Sequence, residues 1–149
     1  MFKYGVACSL NDVSTTAPIV LRGPIEQLCR EAHEIGYDGL EIQLSNPRQY
    51  DWGKIRQVCK DYHLEIAALA TGRELSENGL CLLSDDESIR RAAVARIKEH
   101  IDCAQEAGCQ VIVGSMRKNI PDQSQREKYL GYHRDAILEV AGYAKDKGV

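Results

Sequence analysis

Apolar and polar residues recur along this chain with two alternating periods. In "LEIQL", Leu40, Ile42 and Leu44 alternate with Glu41 and Gln43, the period of a strand with two unlike faces. In residues 84–107, Ile89, Ala93, Ile97, Ile101 and Ala104 fall at helical spacing. The switch recurs at "AHEIG" (32–36), "CKDYH" (59–63), "AQEAG" (104–108) and "AKDKG" (144–148), each a small residue, a polar one, an acid, any residue and a turn residue. β-rich runs follow the first three: "YDGLEIQL", "LEIAALAT" and "CQVIVGS". Gly36, Gly108 and Gly148 suit the left-handed position just past a helix, and His63 must fill the same place with more strain. Pro24 suits a first helical turn, Asp51 a cap, and Ser84 with Glu87 a capping box. A last helix is predicted from about Gln123 to Lys147, with Ile137, Leu138, Val140 and Ala141 towards the core. With "KYGVACSL" as the opening strand, the order is strand–helix repeated through residues 1–149, ending where a fifth strand is due. Strands alternating with helices imply parallel strands joined by right-handed crossovers.

Composition changes this picture little. With 149 residues, the chain is expected to form one domain. It is 44% hydrophobic and 28% charged, with net charge -3, which argues against a nucleic-acid partner. No apolar run approaches the ~20 residues of a membrane helix, and "MFKYGVACSLND" lacks the apolar stretch of a signal peptide. The six cysteines (8, 29, 59, 81, 103, 109) form no C-x-x-C pair and are expected to be reduced core thiols of a cytoplasmic protein. No G-x-G-x-x-G or G-x-x-x-x-G-K is present, which disfavours a nucleotide-binding sheet.

"GYDGLEIQL" and the stretch from "ALATGRELSENG" to "AGCQVIVGSMR" resemble the second strand, and the third through fourth strands, of the xylose isomerase-like family. The likeness implies an α/β fold: a (β/α)4 half of a TIM (β/α)8 barrel, parallel strands inside and helices on the outer face. Residues 1–149 would then be a partial domain of four βα units. It implies a sugar or sugar-phosphate isomerase or epimerase, dependent when complete on a divalent metal (Mn, Mg, Co or Zn). The family's Glu, Asp, His and Glu ligands come from the C-terminal half of the barrel. No residue here inherits a metal-ligand or catalytic role, so no metal is expected for this chain alone, and the isolated chain is expected to be inactive. Two alternatives stand beside this: a non-catalytic half-barrel or fragment that assembles with itself or with a complementing C-terminal half, and an endonuclease IV-like hydrolase.

In such a barrel the site lies at the C-terminal ends of the strands. There Glu41 and Gln43 should face the lumen, either as substrate groups or as a structural polar pair. Thr71 should end the third strand at the mouth, and Arg73 should sit in a long loop, binding a hydroxyl-rich or phosphate-bearing ligand or pairing with Glu74 or Glu77. Arg117 follows the fourth strand, beside a Lys118 read as solvated, and Arg22 ends the polar loop from Asn11 to Gly23. Together these candidates fit an anionic or polyhydroxylated ligand; the resemblance implies a small sugar or sugar phosphate, and composition implies no nucleic acid and no membrane. His33, His63, His100 and His133 are read as structural, and the His100–Cys103 spacing offers too few ligands for zinc.

Overall fold

The computed structural model describes residues 2–11 and 19–149. Its sheet has five parallel strands in the order β2-β1-β3-β4-β5, made of β1 (Gly5–Ser9), β2 (Leu21–Arg22), β3 (Gly39–Gln43), β4 (Glu65–Ala70) and β5 (Gln110–Ile112). The helices are α1 (Ile25–Ile35), α2 (Trp52–Asp61), α3 (Gly72–Asn78), α4 (Glu87–Ala107) and α5 (Arg126–Lys147). Strands β1, β3, β4 and β5 are the first four strands of the half-barrel.

The helix ends follow the sequence logic. Gly36, Gly108 and Gly148 close α1, α4 and α5 with φ of 99°, 72° and 72°, and His63 takes φ 58° where glycine would be relaxed. Asp51 caps α2 by accepting from Lys54 N at 2.9 Å. The expected capping box on α4 is not formed. Asp86 is the cap, accepting from Ser88 N at 2.8 Å, and Ser84 Oγ is occupied by Asp86 N.

The alternation in β3 sorts its side chains as expected. Leu40, Ile42 and Leu44 pack with Leu28, Cys29 and Ala32 of α1 and with Trp52, Ile55 and Cys59 of α2. Glu41 and Gln43 take the opposite, inner face. The β1–β3 register pairs Ala7 with Glu41, and a bulge after Leu40 pairs Glu41 with Ala68 and Gln43 with Ala70. That bulge gives β4 one extra residue, so Leu69 still lies under the helices beside Ile42. The alanines leave room above the two polar side chains.

Three expectations need correction. First, the sheet has a fifth, short strand beside the four expected: β2 pairs with β1 through Cys8–Leu21 and Ser9–Arg22, because Val20 N and Gly23 N find the Ala7 and Ser9 carbonyls. The polar loop leading to β2 lies mostly outside the described residues. Second, the expected loop around Arg73 is largely helix, α3, closed by Gly79 at φ 68°. Third, α5 turns Ala136 and Val140 inwards, with Ile137 partly buried. Leu138 is 66% exposed and Ala141 is exposed. Leu138 falls midway between the buried i, i+4 pair Ala136 and Val140, on the opposite side of the helix, and Ala141 lies one residue past it.

Candidate functional site

The C-terminal ends of the strands are tied together by short polar contacts. Thr71 N donates to Ile112 O at 3.1 Å, Gly114 N to Thr71 Oγ1 at 3.3 Å, and Ser115 Oγ to the Gly72 carbonyl. A Cβ on Gly72 would stand 2.9 Å from Gln43 Oε1, so a side chain there would displace the Gln43 amide. These ties fix where α3 begins and so aim Arg73.

Arg73 is the centre of the site. Its Nη1 donates to Ser9 Oγ at 2.9 Å and its Nε to Glu77 Oε1 at 2.6 Å. The side chain, only 13% exposed, thus reaches from the end of β4 to the end of β1, across the β3 end between them. Ser9 is fully buried. Burial would raise the Glu77 carboxyl, but the Arg73 hydrogen bond and charge, with a hydrogen bond from Ser45, hold it below its ordinary value. On β3, Gln43 Nε2 donates to Glu41 Oε1. Glu41, Gln43, Ser9 and Arg73 together offer a carboxylate, an amide, a hydroxyl and a guanidinium, a donor and acceptor set suited to several hydroxyls at once.

Behind Arg73 lies a second, buried cluster. Glu74 is fully buried, accepting from Arg96 Nη1 at 3.1 Å and from Asn78 Nδ2 at 2.8 Å. Arg96 also donates to Ser45 O at 2.7 Å and pairs with Glu99 at 2.9 Å. His100 is fully buried, with Nδ1 3.0 Å from Arg96 O and Nε2 4.0 Å from Glu74 Oε1. A carbonyl can only accept, so Nδ1 carries the hydrogen. Burial raises the Glu74 carboxyl above its ordinary value against the pull of Asn78 and Arg96. Burial, helped by the Arg96 charge, lowers His100. The cluster joins α3 to α4 and to the loop after β3.

The structure thus brings Glu41, Gln43 and Arg73 to one face and separates the other two candidates from them. Thr71 is fully buried with its hydroxyl bonded to Gly114 N, so it shapes the mouth instead of lining it. Arg117 is exposed at the end of the 3-10 turn Ser115–Arg117, and no hydrogen bond carries its side chain to the Arg73 cluster among the described residues. Sequence reasoning passed over Ser9, although it shares Ala7's face at a strand end. It also passed over Arg96, and read His100 as structural without its burial beside Glu74.

These residues do not fit a divalent metal. Glu41 is bonded to Gln43, Glu77 to Arg73, and Glu74 to Arg96 and Asn78. A hard cation seeks about six oxygen ligands, and the guanidinium at the centre would repel it.

A parallel sheet with helices on its outer face and polar groups gathered at the strand ends defines a half TIM barrel. The xylose isomerase-like TIM barrel profile matches residues 29–149, and the chain belongs to that family. Similar solved structures include a D-psicose 3-epimerase with D-tagatose from Clostridium cellulolyticum H10, at 16% identity and TM-score 0.74, covering 99% of this chain and 50% of that one. A 3-keto-D-glucoside 4-epimerase from E. coli matches at 14% identity and TM-score 0.71, covering 100% and 54%. An AP endonuclease, family 2, from Brucella melitensis matches at 16% identity and TM-score 0.58, covering 96% and 53%. The chain therefore spans about half the length of these structures.

Proposed function

We propose that this chain supplies one half of a sugar or sugar-phosphate isomerase or epimerase site, and that Arg73, Ser9, Glu41 and Gln43 bind and orient the sugar's hydroxyls. The observation that carries this reading is Arg73, largely buried yet spanning the strand ends from Ser9 to Glu77. A surface arginine would not bond a fully buried serine. Arginine's planar fork donates to two neighbouring hydroxyls, and the Glu41 carboxylate accepts from a third. Held in this way, a sugar carbon is presented in a fixed attitude, and positioning of that kind lowers a barrier by several kcal/mol at best, about 7–11 in well-oriented cases. The sugar epimerases among the similar structures support the substrate class.

In the same proposal the divalent metal and the proton-moving carboxylates sit on a complementing half-barrel, and the 149-residue chain alone is inactive. The support for an added half is the outer edge of β5, which pairs with no further strand among the described residues. Beside it runs an apolar groove of about 300 Å³ lined by residues including Ile97, Ile101, Val111, Ile137 and Val140. Exposed edges of this kind invite pairing with another strand. The protein is proposed to be cytoplasmic and to bind no nucleic acid; no described helix is long and apolar enough to cross a membrane.

The test joins this chain to the C-terminal half of a ketose 3-epimerase and assays interconversion of ketohexoses with Mn²⁺. Turnover in the joined protein, absent from the chain alone and reduced at least tenfold by Arg73→Met, is the expected result. Turnover unchanged by Arg73→Met would overturn the assignment of Arg73.

A further inference from the structure

Two thiols meet in the core between α1 and α2, far in role from the sugar-binding face. Cys29 and Cys59 are buried, and their sulfurs stand 3.6 Å apart, with Cys29 donating its S–H to Cys59. That is van der Waals contact, and a disulfide of about 2.05 Å needs the two sulfurs to close by roughly 1.5 Å. Cys59 also lines a hollow of about 270 Å³ whose other walls include Arg56, Lys60, Glu65 and Gly108. The hollow brings open space and two cations up to Cys59, itself 1% exposed, and Cys29 is not on its lining. Cys29 is fully buried behind it.

We propose that Cys29 and Cys59 are a disulfide-forming pair closed by a peroxide, with Cys59 the sulfur oxidised first and Cys29 the resolving one. The Cys59 thiolate attacks one oxygen of hydrogen peroxide, the O–O bond breaks, and the departing hydroxide takes up the proton Cys59 released on ionising and leaves as water. Cys59 is then a sulfenic acid, oxidised by two electrons. The Cys29 sulfur attacks the Cys59 sulfur, the S–O bond breaks, and the departing hydroxide takes the Cys29 proton as a second water. Two thiols and one peroxide become a disulfide and two waters. The order follows from access, since Cys59 borders the hollow and Cys29 does not, and the hydrogen bond favours it. Accepting from Cys29 holds the Cys59 thiol below its ordinary value, and the same bond with burial pushes Cys29 up. Cys8, the nearest competitor, is pushed up to about 12 chiefly by burial, which keeps it a poor nucleophile. The product would staple α1 to α2, on the side of the sheet away from Arg73.

The experiment treats the native 149-residue chain with hydrogen peroxide, quenches with catalase, then denatures, alkylates and maps peptides. The expected result is two fewer labels than the six of the untreated chain, a linked peptide containing Cys29 and Cys59, and full recovery of labelling after reductant. Cys29→Ser should stop at a sulfenic acid on Cys59, trapped by dimedone. Full labelling under peroxide that oxidises free cysteine in a parallel tube would overturn the proposal. So would a linked peptide containing Cys8, or oxidation confined to Cys109. The wild-type map needs no variant to fold. Neither result bears on sugar binding, which is read on the other face of the sheet.

Discussion

Arg96→Met tests the buried cluster that aims α3. The methionine keeps most of the arginine stem, so packing changes little, but Glu74 loses its cation and Ser45 O its donor. Glu74 is fully buried, so its charge cannot be taken over by water. Breaking a buried ion pair from one side costs about 3–5 kcal/mol. Two features reduce that. Arg96 is itself 25% exposed, and Glu74 can escape by taking a proton. A loss of about 3 kcal/mol at pH 7.5 is expected, the lower end of that range. With a urea slope of about 2 kcal/mol/M, the midpoint falls by roughly 1.5 M. The pH dependence makes the test specific. Glu74 is already held above its ordinary 4.5 by burial, and removing Arg96 removes a charge and a hydrogen bond that pull it down. A group with a raised folded pKa favours the folded state below that pKa and loses the advantage as pH rises through it. The deficit of Arg96→Met should therefore be largest at neutral pH and shrink as pH falls through the variant's Glu74 titration. Glu74→Gln keeps an acceptor for Arg96 and should cost only about 1 kcal/mol. Urea unfolding followed by circular dichroism between pH 5 and 8 reads all three chains. A loss for Arg96→Met under about 0.5 kcal/mol and flat with pH is what an exposed pair gives, and it would refute the buried-charge account.

Other expectations follow from the same structure. Gly39→Ala places a Cβ 2.7 Å from the Glu65 carbonyl oxygen, and the strand shift needed to relieve it should cost about 2 kcal/mol, read as a lower thermal midpoint; an unchanged midpoint would place β3 and β4 further apart. His100 is held below its ordinary 6.5 by burial, so its contribution is complete above that value and is lost as pH falls from there through the folded pKa. His100→Gln should flatten the fall in stability between pH 6.5 and 5, and a slope identical to wild type would show that another group sets it. The outer β5 edge and the apolar groove beside it predict a sedimentation coefficient that rises with concentration; a concentration-independent monomer would show that the edge needs no partner.

The parts of this fold that the sequence declares are those set by local chemistry. Glycines 36, 108 and 148 mark helix ends because each takes a left-handed φ that other residues resist. The alternation from Leu40 to Leu44 places Glu41 and Gln43 on the inner face, because a strand has period two. What escaped reading depends on partners distant in the chain. β2 is two residues long and exists only because Ala7 and Ser9 offer carbonyls. Helix α3 carried a local sign in the Arg73–Glu77 spacing and Gly79, but "TGRELSENG" is polar and shows no apolar stripe, since the buried member of the helix is Glu74. That burial depends on Arg96, 22 residues away, and nothing in either local stretch announces the pairing. Arg73 was nameable as a candidate; its bond to Ser9, 64 residues away, was not.

The central claim, that the Arg73 mouth recognises a sugar, is tested most directly by saturation-transfer NMR on the 149-residue chain with D-tagatose and D-fructose. The account predicts transfer to the ketohexose hydrogens from the wild-type chain, lost in a folded Arg73→Met variant and retained in Lys118→Met. Transfer that survives Arg73→Met, or no transfer from the wild-type chain, would contradict it.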